Sequence, residues 1–306
     1  MRKRILDTVY KLAKEHKEIV FIGSDLGFET LKDFKNEIPD RFFMEGISEG
    51  HIVGMSAGLA MSGKIVYTNT IATFITRRSY EQNIVNLGLT NANVRLIGNG
   101  GGLVYAPLGP THLAFEDIAI MRAIPNMTII APCDAEEMER ATRASVNWQG
   151  PIYFRVGKGG DPVVSKPENG FEIGKAIVYR EPGDLVLITT GIMLERTIKA
   201  ADELATKGIK AGIIHCPTVK PLDEATIMKH LNNVKAAMTI EEHSIIGGLG
   251  SAVSEMIAEK LSKKIFFKRI ALPDVFPEKY GSQNSLIKYY KCDKDDIVQN
   301  AIALLS

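Results

Sequence analysis

The sequence contains few cysteines and almost no net charge. Its 306 residues include three cysteines, one tryptophan and a net charge of +1. Three cysteines that lie far apart, in no CxxC pair, argue against a disulfide framework or a zinc site and fit a reducing cytoplasm. Without an excess of one charge sign, the chain has no strong field to attract a polyanion. We therefore expect a cytoplasmic protein that binds no nucleic acid.

Long apolar runs are also absent. No stretch approaches the roughly 20 residues that a membrane-spanning helix needs. The basic segment MRKRILDTVYKLAKEHKE, residues 1–18, has charges spread through an amphipathic pattern, which is unlike a signal peptide. The six histidines show no metal-ligand spacing. We expect no membrane partner and no metal site within this chain.

Short β-branched runs alternate with longer helical patterns along most of the sequence. This rhythm is typical of βα units, with a mainly parallel sheet and helices on both of its faces. Predicted strands cover residues 19–22, 42–44, 65–68, 94–97, 127–130, 152–156, 185–189, 211–214, 236–240 and 265–270. Predicted helices cover residues 4–15, 48–61, 80–87, 114–123, 135–147, 193–206 and 250–261.

A segment rich in glycine and proline, GKGGDPVVSKPENGFEIG at residues 157–174, interrupts this rhythm. It lacks periodicity and is typical of a linker. The length suits two domains that each bury a core. We predict an α/β fold with two domains, each a mainly parallel sheet with helices on both faces. Their predicted bounds are residues 1–158 and 174–306, joined by a linker at 159–173.

The strongest local signal is EGISEGHIVGMSAGLAMSG at residues 45–63. A strand enters a turn at Gly46, and a helix of small residues begins near Glu49. The glutamate then lies at a helix N-terminus beyond the carboxyl end of a strand, where α/β sheets bind ligands. For this segment alone a structural alternative stays open, in which Ser48 caps the helix and Glu49 complements its dipole.

Four segments resemble the transketolase superfamily of thiamine-diphosphate enzymes, in matching order. Three of them resemble its pyrimidine-binding domain: GISEGH with its helix, TFITRRSYEQ at residues 73–82, and LGPTHLAFEDIAIMRAIPNMTIIAPCDAEE at residues 108–137. The fourth, EEHSIIGGLGSAV at residues 241–253, resembles its C-terminal domain. Any one motif is weak, but four collinear motifs across the chain are specific. The resemblance implies a pyrimidine-binding domain followed by a transketolase C-terminal domain.

Thiamine diphosphate is the cofactor that this resemblance implies, and Glu49 matches the glutamate that activates it. The cofactor's 4'-imino group removes a proton from the thiazolium, and it forms only when an acid bonds the ring nitrogen N1'. A partly buried carboxyl suits this role because desolvation favours its protonated form. Phe74 matches the aromatic residue that stacks on the aminopyrimidine, and Asp25 matches a residue near the cofactor.

The resemblance also implies several substrate contacts. His112, in GPTH, matches a histidine that contacts the sugar and assists proton transfer, so we expect it to be catalytic as well. Arg155 matches a phosphate-binding arginine, whose planar fork suits a phosphate dianion. Arg77 resembles an acceptor-phosphate arginine of deoxyxylulose-phosphate synthases, and Arg78 is the alternative for that role. Arg2 occurs where another substrate-phosphate arginine is found.

Three further positions concern the surroundings of the site. Leu108 stands four residues before His112, where transketolases usually have an aspartate that bonds a sugar hydroxyl. An upstream histidine of the family is replaced by glycine near Gly100. We therefore expect a shifted sugar specificity. His51 completes GISEGH. We expect its side chain to position the residues that bind the ligand without contacting the ligand itself.

The GDG…N segment, with which these enzymes bind Mg²⁺ and the diphosphate, does not occur in the sequence. The resemblance therefore implies a partner, an N-terminal-section transketolase subunit that carries this motif and binds the Mg²⁺. We expect thiamine diphosphate to be shared between the two subunits. The expected assembly is an α2β2 heterotetramer built on a homodimer of this chain.

The predicted function is that of the C-terminal subunit of a split transketolase, active only with its partner. It transfers a two-carbon ketol unit between a ketose, phosphorylated in our expectation, and an aldose. Two alternatives stay open. The β subunit of a 2-oxo-acid dehydrogenase, or a related pyruvate carboligase, shares both domains but usually has His-Ser-Gln in place of the GPTH region. A non-catalytic subunit that retains the fold is the other, since fold alone does not determine function.

Overall fold

The computed structural model describes residues 1–24 and 31–306, in which the strands form one sheet of seven strands and one of five. The first six strands are β1 (Ile19–Gly23), β2 (Phe42–Met44), β3 (Ile65–Ile71), β4 (Val94–Asn99), β5 (Thr128–Ile130) and β6 (Ile152–Val156). The other six are β7 (Ile177–Arg180), β8 (Leu185–Thr189), β9 (Ala211–His215), β10 (Thr218–Lys220), β11 (Ala236–Ser244) and β12 (Phe266–Leu272).

Eleven α-helices accompany these strands in the described ranges. In the first half they are α1 (Arg2–Glu15), α2 (Lys32–Glu37), α3 (Glu49–Met61), α4 (Tyr80–Gln82), α5 (Asp117–Arg122) and α6 (Ala135–Ser145). In the second half they are α7 (Met193–Thr206), α8 (Glu224–Leu231), α9 (Leu249–Lys260), α10 (Gln283–Tyr289) and α11 (Lys294–Leu305). None of the helices in these ranges combines the length and apolar character that a bilayer crossing requires.

Both sheets are mainly parallel. The first has the strand order β10-β5-β6-β4-β3-β1-β2 and the second the order β12-β11-β8-β9-β7. Strands β1, β6 and β8 are buried along their whole length. Continuous apolar runs such as IVFIG and LVLIT produce such strands, because helices cover both faces of a parallel sheet. The predicted fold class, two mainly parallel α/β units, is confirmed.

The two antiparallel strands were not predicted from the sequence. Strand β7 is an edge strand that pairs with β9. Strand β10 belongs to the second half of the chain, yet it pairs with β5 of the first sheet, with Thr218 opposite Ile130. A further hydrogen bond runs from the Ala131 amide to the Pro217 carbonyl at 2.8 Å. The second half therefore completes one edge of the first sheet.

An apolar core also joins the two halves. A single buried cluster extends from Val20, Ile52 and Leu96 in the first half to Val186 and Ile214 in the second. Burial of such side chains contributes roughly 1.5–3 kcal/mol each. The two units therefore pack on each other through side chains that belong to a common core. The predicted domain bounds at 158 and 174 stay predictions.

The helical segment after β3 departs from α-helical geometry. A π-helical turn covers Phe74–Arg78, the short helix α4 follows, and a second π-helical turn covers Asn83–Gly88. A π-helical turn contains one more residue than an α-helical turn and is frequent at functional sites. Within the first of these turns Arg78 contacts the Phe74 ring, whereas Arg77 pairs with Glu116.

The parallel strands of the first sheet end at a common edge. Strands β1, β2, β3, β4 and β6 end at Gly23, Met44, Ile71, Asn99 and Val156. The segments that leave these strands carry most of the predicted site residues. Ligands bind at this edge in open α/β sheets.

Candidate active site

Glu49 is the first residue of α3 and is 1% exposed. It lies beyond the carboxyl end of β2, as predicted. Ser48 occupies the N-cap position, but its side chain makes no cap hydrogen bond. The Ser48 hydroxyl instead donates to the Glu45 carbonyl at 2.9 Å. Helix capping by Ser48 was part of the structural alternative, and the structure does not contain it.

Within residues 1–24 and 31–306, two polar side chains contact the Glu49 carboxyl. Nη1 of Arg78 donates to Oε2 at 2.7 Å, and the Thr70 hydroxyl donates to Oε1 over a longer distance of 3.4 Å. The Arg78 side chain is 48% exposed, whereas that of Glu49 is buried. The charged partner of the buried Glu49 carboxylate is therefore Arg78, whose side chain extends in from the surface.

Phe74 lies next to this pair. The guanidinium carbon of Arg78 is 4.3 Å from the centre of the Phe74 ring. The ring of His112 makes an edge contact with Phe74, with ring centres 5.2 Å apart. His112 is half-buried, and its Nδ1 lies 3.0 Å from the Thr111 hydroxyl. The structure therefore brings Glu49, Phe74 and His112 together, as the sequence predicts.

A network of polar side chains at the ends of β3 and β4 lies next to Glu49. We call this network the polar floor. The Ser24 hydroxyl donates to the Thr70 hydroxyl at 2.9 Å. The Asn99 amide nitrogen donates to the Asn69 side chain at 2.6 Å and to the Thr70 carbonyl at 3.1 Å. The Asn99 side-chain oxygen is buried and has no hydrogen-bond partner within residues 1–24 and 31–306. It is available to a ligand that donates a hydrogen bond.

A cavity of about 370 Å³ lies beside Asn99 at the same edge of the sheet. Its lining includes Arg2, Gly100, Leu108 and Lys158. Arg2 begins α1 and Lys158 follows β6, so two exposed cations border one cavity. The structure thus places the predicted Arg2 together with Gly100 and Leu108, the two positions that depart from the family pattern.

Lys158 was missed by the sequence analysis. Strand β6 ends at Val156, so Lys158 follows its carboxyl end, where parallel sheets bind ligands. Arg155 was preferred because of its resemblance to a family arginine, although it lies within the strand itself. The signal that identifies Lys158 is its position relative to the end of the strand.

Tyr105 fills the space beside Gly100. A Cβ atom at position 100 would collide with the Tyr105 ring. Gly100 also has a φ of 79°, a conformation that favours glycine. The glycine that replaces the family histidine therefore makes room for a tyrosine in the lining of the same cavity.

Arg77 points away from Glu49 towards the GPTH segment. It forms an ion pair with Glu116, and its Nη2 donates to the Leu113 carbonyl at 2.9 Å. Its guanidinium carbon also lies 5.4 Å from the centre of the Phe115 ring. These contacts hold the segment that carries His112. A substrate role for Arg77 stays a prediction.

Arg155 is 7% exposed and lies between the two halves of the chain. Its Nε donates to Asp117 at 2.8 Å, and its Nη2 donates to the Glu242 carbonyl at 2.8 Å. Burial lowers the pKa of Arg155, but Asp117 and Glu242 outweigh burial and raise it above its ordinary value. The guanidinium is thus occupied by protein groups, and a phosphate-binding role for Arg155 stays a prediction.

Asp25 and His51 were also predicted to belong to the site or its surroundings. Asp25 lies outside the described residues. His51 is exposed, and its Nε2 lies 3.7 Å from a carboxylate oxygen of Glu45. It therefore sits on the surface side of α3, and a supporting role for it stays a prediction.

The EEHS motif of the second half connects the two units. The Glu241 carboxylate accepts hydrogen bonds at 2.8 Å from the amides of Leu249 and Gly250, at the start of α9. The Glu242 carboxylate accepts a hydrogen bond at 2.9 Å from the Leu103 amide of the first half. The motif is therefore structural: one carboxylate holds a helix N-terminus and the other holds the loop that leads towards Leu108.

A second buried polar group, away from the site, consists of Cys133, Glu137 and His215, whose possible ligand atoms lie within 4.8 Å of one another. Glu137 Oε2 lies 2.9 Å from His215 Nε2 and accepts a hydrogen bond at 2.7 Å from the Cys133 amide. Burial raises the pKa of Glu137, but His215 and the hydrogen bonds from Cys133 together hold it below its ordinary value. The group links helix α6 of the first half to strand β9 of the second, which the sequence spacing did not reveal.

Comparison with known families identifies both halves of the chain. Residues 1–160 match the pyrimidine-binding domain of transketolase, and residues 174–297 match the transketolase C-terminal domain. The chain belongs to the transketolase family. The predicted resemblance is therefore confirmed, and the family implies a transferase that uses thiamine diphosphate.

Several transketolase relatives have the same extent as this chain. It is 36% identical over 303 residues to one of the subunits of an apulose-4-phosphate transketolase of Phocaeicola vulgatus, covering 98% of this chain and 96% of the relative. It is 32% identical over 289 residues to a 6-deoxy-6-sulfo-D-fructose transketolase subunit of Clostridium sp. strain MSTE9, covering 92% and 90%.

A solved structure described as a split gene transketolase, inactive β4 tetramer, has the same fold. Its TM-score is 0.90 at 32% identity, and the match covers 100% of this chain and 99% of that one. The two α/β units and their order along the chain are thus those of a split transketolase subunit.

Proposed function

We propose that this chain is the C-terminal, pyrimidine-binding subunit of a split, thiamine-diphosphate-dependent transketolase. It transfers a two-carbon ketol unit between a ketose and an aldose. The observation that carries the proposal is the pairing of Glu49 and Phe74. A buried carboxyl and an accessible aromatic face enclose one planar, N–H-bearing group, which in the structure is the Arg78 guanidinium. An aminopyrimidine ring has the same planar shape, and its ring nitrogen N1' bonds a carboxyl group through a proton that the two groups share.

Each residue of this group has a role in the proposal. Glu49 holds the ring nitrogen of the aminopyrimidine, and Phe74 packs against its face. His112, in edge contact with Phe74, is placed to exchange protons with sugar hydroxyls near neutral pH. The cofactor, when bound, supplies the nucleophilic carbon and stabilises the negative charge that develops on the substrate. The polar floor at Thr70 and Asn99 orients the ligands.

We assign the anionic end of the substrate to the cavity between Arg2 and Lys158. Both cations border the 370 Å³ cavity next to Leu108, and charge-assisted hydrogen bonds to phosphate are among the strong ones. The names of the two relatives describe a sugar phosphate and a sulfonated sugar, each with an anionic group. Arg77 and Arg155 stay in the proposal as weaker candidates, because protein carboxylates already occupy them.

The proposal includes a partner subunit. That partner carries the GDG…N motif, binds Mg²⁺ and the diphosphate, and joins a homodimer of this chain in an α2β2 assembly in the cytoplasm. Support comes from the relatives named as subunits, and from the split-gene neighbour described as an inactive β4 tetramer. That neighbour is described as an inactive tetramer of β chains, which agrees with the need for a partner.

The test is a reconstituted assay. This chain is mixed with the partner chain, thiamine diphosphate and Mg²⁺, and offered a panel of ketoses as well as pyruvate. We expect ketol transfer from a ketose with an anionic group, lowered by orders of magnitude in Glu49→Ala and retained in Glu168→Gln, an exposed carboxylate of the linker. Turnover of pyruvate alone favours the 2-oxo-acid alternatives, and full activity of Glu49→Ala contradicts the proposal.

A further inference from the structure

We propose that Arg78 is a built-in substitute for the aminopyrimidine ring, which the cofactor must displace before it binds. This inference rests on the proposed function, because it assumes that Glu49 and Phe74 form the aminopyrimidine site. It adds a step before cofactor binding, because the site of this chain is covered by its own side chain.

The geometry carries the inference. A guanidinium is planar, and its N–H donors point outward in the plane. In Arg78 one edge donates to Glu49 Oε2 at 2.7 Å, while the guanidinium carbon lies 4.3 Å from the centre of the Phe74 ring. These are the two contacts that an aminopyrimidine needs, an edge hydrogen bond to the carboxyl and a face against the aromatic ring. The two groups therefore exclude each other.

The π-helical turn explains why Arg78 reaches this place. Phe74 and Arg78 are the first and last residues of that turn. Residues three and four apart both share a face in an α-helix, whereas the wider π-helical turn keeps the residue four positions on beside Phe74 and rotates the residue three positions on away from it. Arg77, one residue earlier, is held by Glu116 on the other side. The two arginines therefore have separate roles. Arg77 fixes the GPTH segment, and Arg78 covers the site.

The Arg78 side chain is also able to leave. It is 48% exposed, and an ion pair that reaches solvent contributes only a few tenths to about 1 kcal/mol. Glu49, in contrast, is buried, and a buried carboxylate without a partner is costly. Arg78 thus stabilises the site while it is unliganded, and the exposed end of the guanidinium provides the route by which it swings out.

A covered site lowers the apparent affinity for the ligand, since the ligand binds only the fraction of molecules in which Arg78 has moved. We expect Arg78→Ala to bind the aminopyrimidine about 3- to 30-fold more tightly, as follows from a half-exposed ion pair together with a cation–π contact. Arg143→Ala is the matched control, because this arginine is also partly exposed and pairs with Glu139, not with Glu49. Its affinity for the aminopyrimidine is expected to equal that of the unmodified chain.

Two probes test the inference. The cofactor's free aminopyrimidine alcohol is titrated into this chain by NMR, and thiamine diphosphate with Mg²⁺ is titrated into the assembled subunit pair by calorimetry. Tighter binding of both probes by Arg78→Ala, with Arg143→Ala unchanged, supports the inference. A crystal structure of the loaded pair is then expected to show Arg78 no longer bonded to Glu49.

Equal or weaker binding of both probes by a folded Arg78→Ala chain overturns it, as does a loaded structure in which Arg78 stays on Glu49. Circular dichroism verifies that each variant is folded. Glu49→Ala and Phe74→Ala separate this failure from failure of the proposed function. If neither of these substitutions weakens binding of the aminopyrimidine alcohol, the site itself is wrongly assigned, and the inference fails with it.

Discussion

Nε of Arg155 lies 2.8 Å from Oδ2 of Asp117, in an ion pair of which 7% and 0% of the two side chains are exposed. Tyr153 donates to the same carboxylate at 2.7 Å. The Arg155 guanidinium also donates to the Glu242 carbonyl of the second half. These contacts indicate that Arg155 stabilises the packing of the two halves. This structural role is an alternative to the phosphate-binding role that the family resemblance implies.

Arg155→Met distinguishes these two roles. Removing one partner of a buried ion pair leaves an uncompensated charge, so we expect the free energy of unfolding to fall by about 3–5 kcal/mol. Urea unfolding measures this change. Arg143→Met is the control, since its ion pair with Glu139 is partly exposed, and we expect a change of about 0.5 kcal/mol or less. Unaltered stability with a raised KM for the sugar phosphate instead identifies Arg155 as a substrate residue.

Lys158→Met is expected to weaken binding of the anionic end of the substrate. Loss of one charge-assisted hydrogen bond corresponds to about 1.5–3 kcal/mol, or a rise in KM of roughly 10- to 150-fold at similar kcat. Steady-state kinetics of the assembled enzyme with a phosphorylated ketose measure it. Lys235→Met, an exposed lysine of the second half, serves as control. An equal loss with an uncharged sugar of similar length speaks against this assignment.

Leu108 is expected to influence the choice of sugar. It lines the same cavity as Lys158 and is 50% exposed. An apolar side chain does not bond a sugar hydroxyl, whereas a site built to bond one discriminates strongly. Leu108→Asp should therefore move the ratio of kcat/KM values towards ordinary pentulose phosphates. If the unmodified enzyme already prefers xylulose 5-phosphate by a wide margin, the expectation is wrong.

Asp134 is expected to make stability depend on acid pH. It caps α6, and it accepts hydrogen bonds from the amides of Val164 and Ser165 at 2.8 and 2.6 Å. Burial raises the pKa of Asp134, but the backbone amides of Glu137, Ser165 and Val164 outweigh burial and hold it below 3.8. The carboxylate therefore contributes stability above its unfolded pKa, and this contribution is lost as the pH falls through the lower folded pKa.

Asp134→Asn should thus lower the free energy of unfolding by about 1.5–3 kcal/mol near neutral pH. The difference from the unmodified chain should shrink below about pH 3.8. Urea unfolding across this pH range measures both effects. Asp202→Asn, a carboxylate that is 61% exposed, should leave stability nearly unchanged at every pH. A difference for Asp134→Asn that stays constant into acid would show that the charge of Asp134 is irrelevant.

Regular, strongly patterned elements were predictable from the sequence. The predicted bounds of β2, β6, β8 and α7 agree with the structure. The strands are continuous apolar runs and α7 has a clear helical period, and residues of different character flank each of them. Strands β7 and β10 contain four and three residues. A run that short shows no alternation, and its pairing partner is distant in sequence. Neither strand was therefore predictable from local pattern.

The proximity of Glu49, Phe74 and His112 was predictable from the sequence, but their contacts with Arg78 were not, and their roles stay predictions. Glu49, Phe74 and His112 come together because each follows a parallel strand of the same sheet, and that topology follows from the βα rhythm. An α-helical spacing places both Arg77 and Arg78 near the face of Phe74. In the π-helical turn Arg78 stays on that face while Arg77 pairs with Glu116, and no sequence pattern marked that turn. Lys158 was missed because a family match outweighed its position after β6.

The central claim is that this chain holds only half of the cofactor site. Calorimetric titration of thiamine diphosphate and Mg²⁺ into the chain alone, and then into the chain mixed with a partner that carries the GDG…N motif, tests it most directly. We expect weak binding and no turnover for the chain alone, and tight, Mg²⁺-dependent binding with turnover for the mixture. Tight Mg²⁺-dependent binding by the isolated chain would contradict the account.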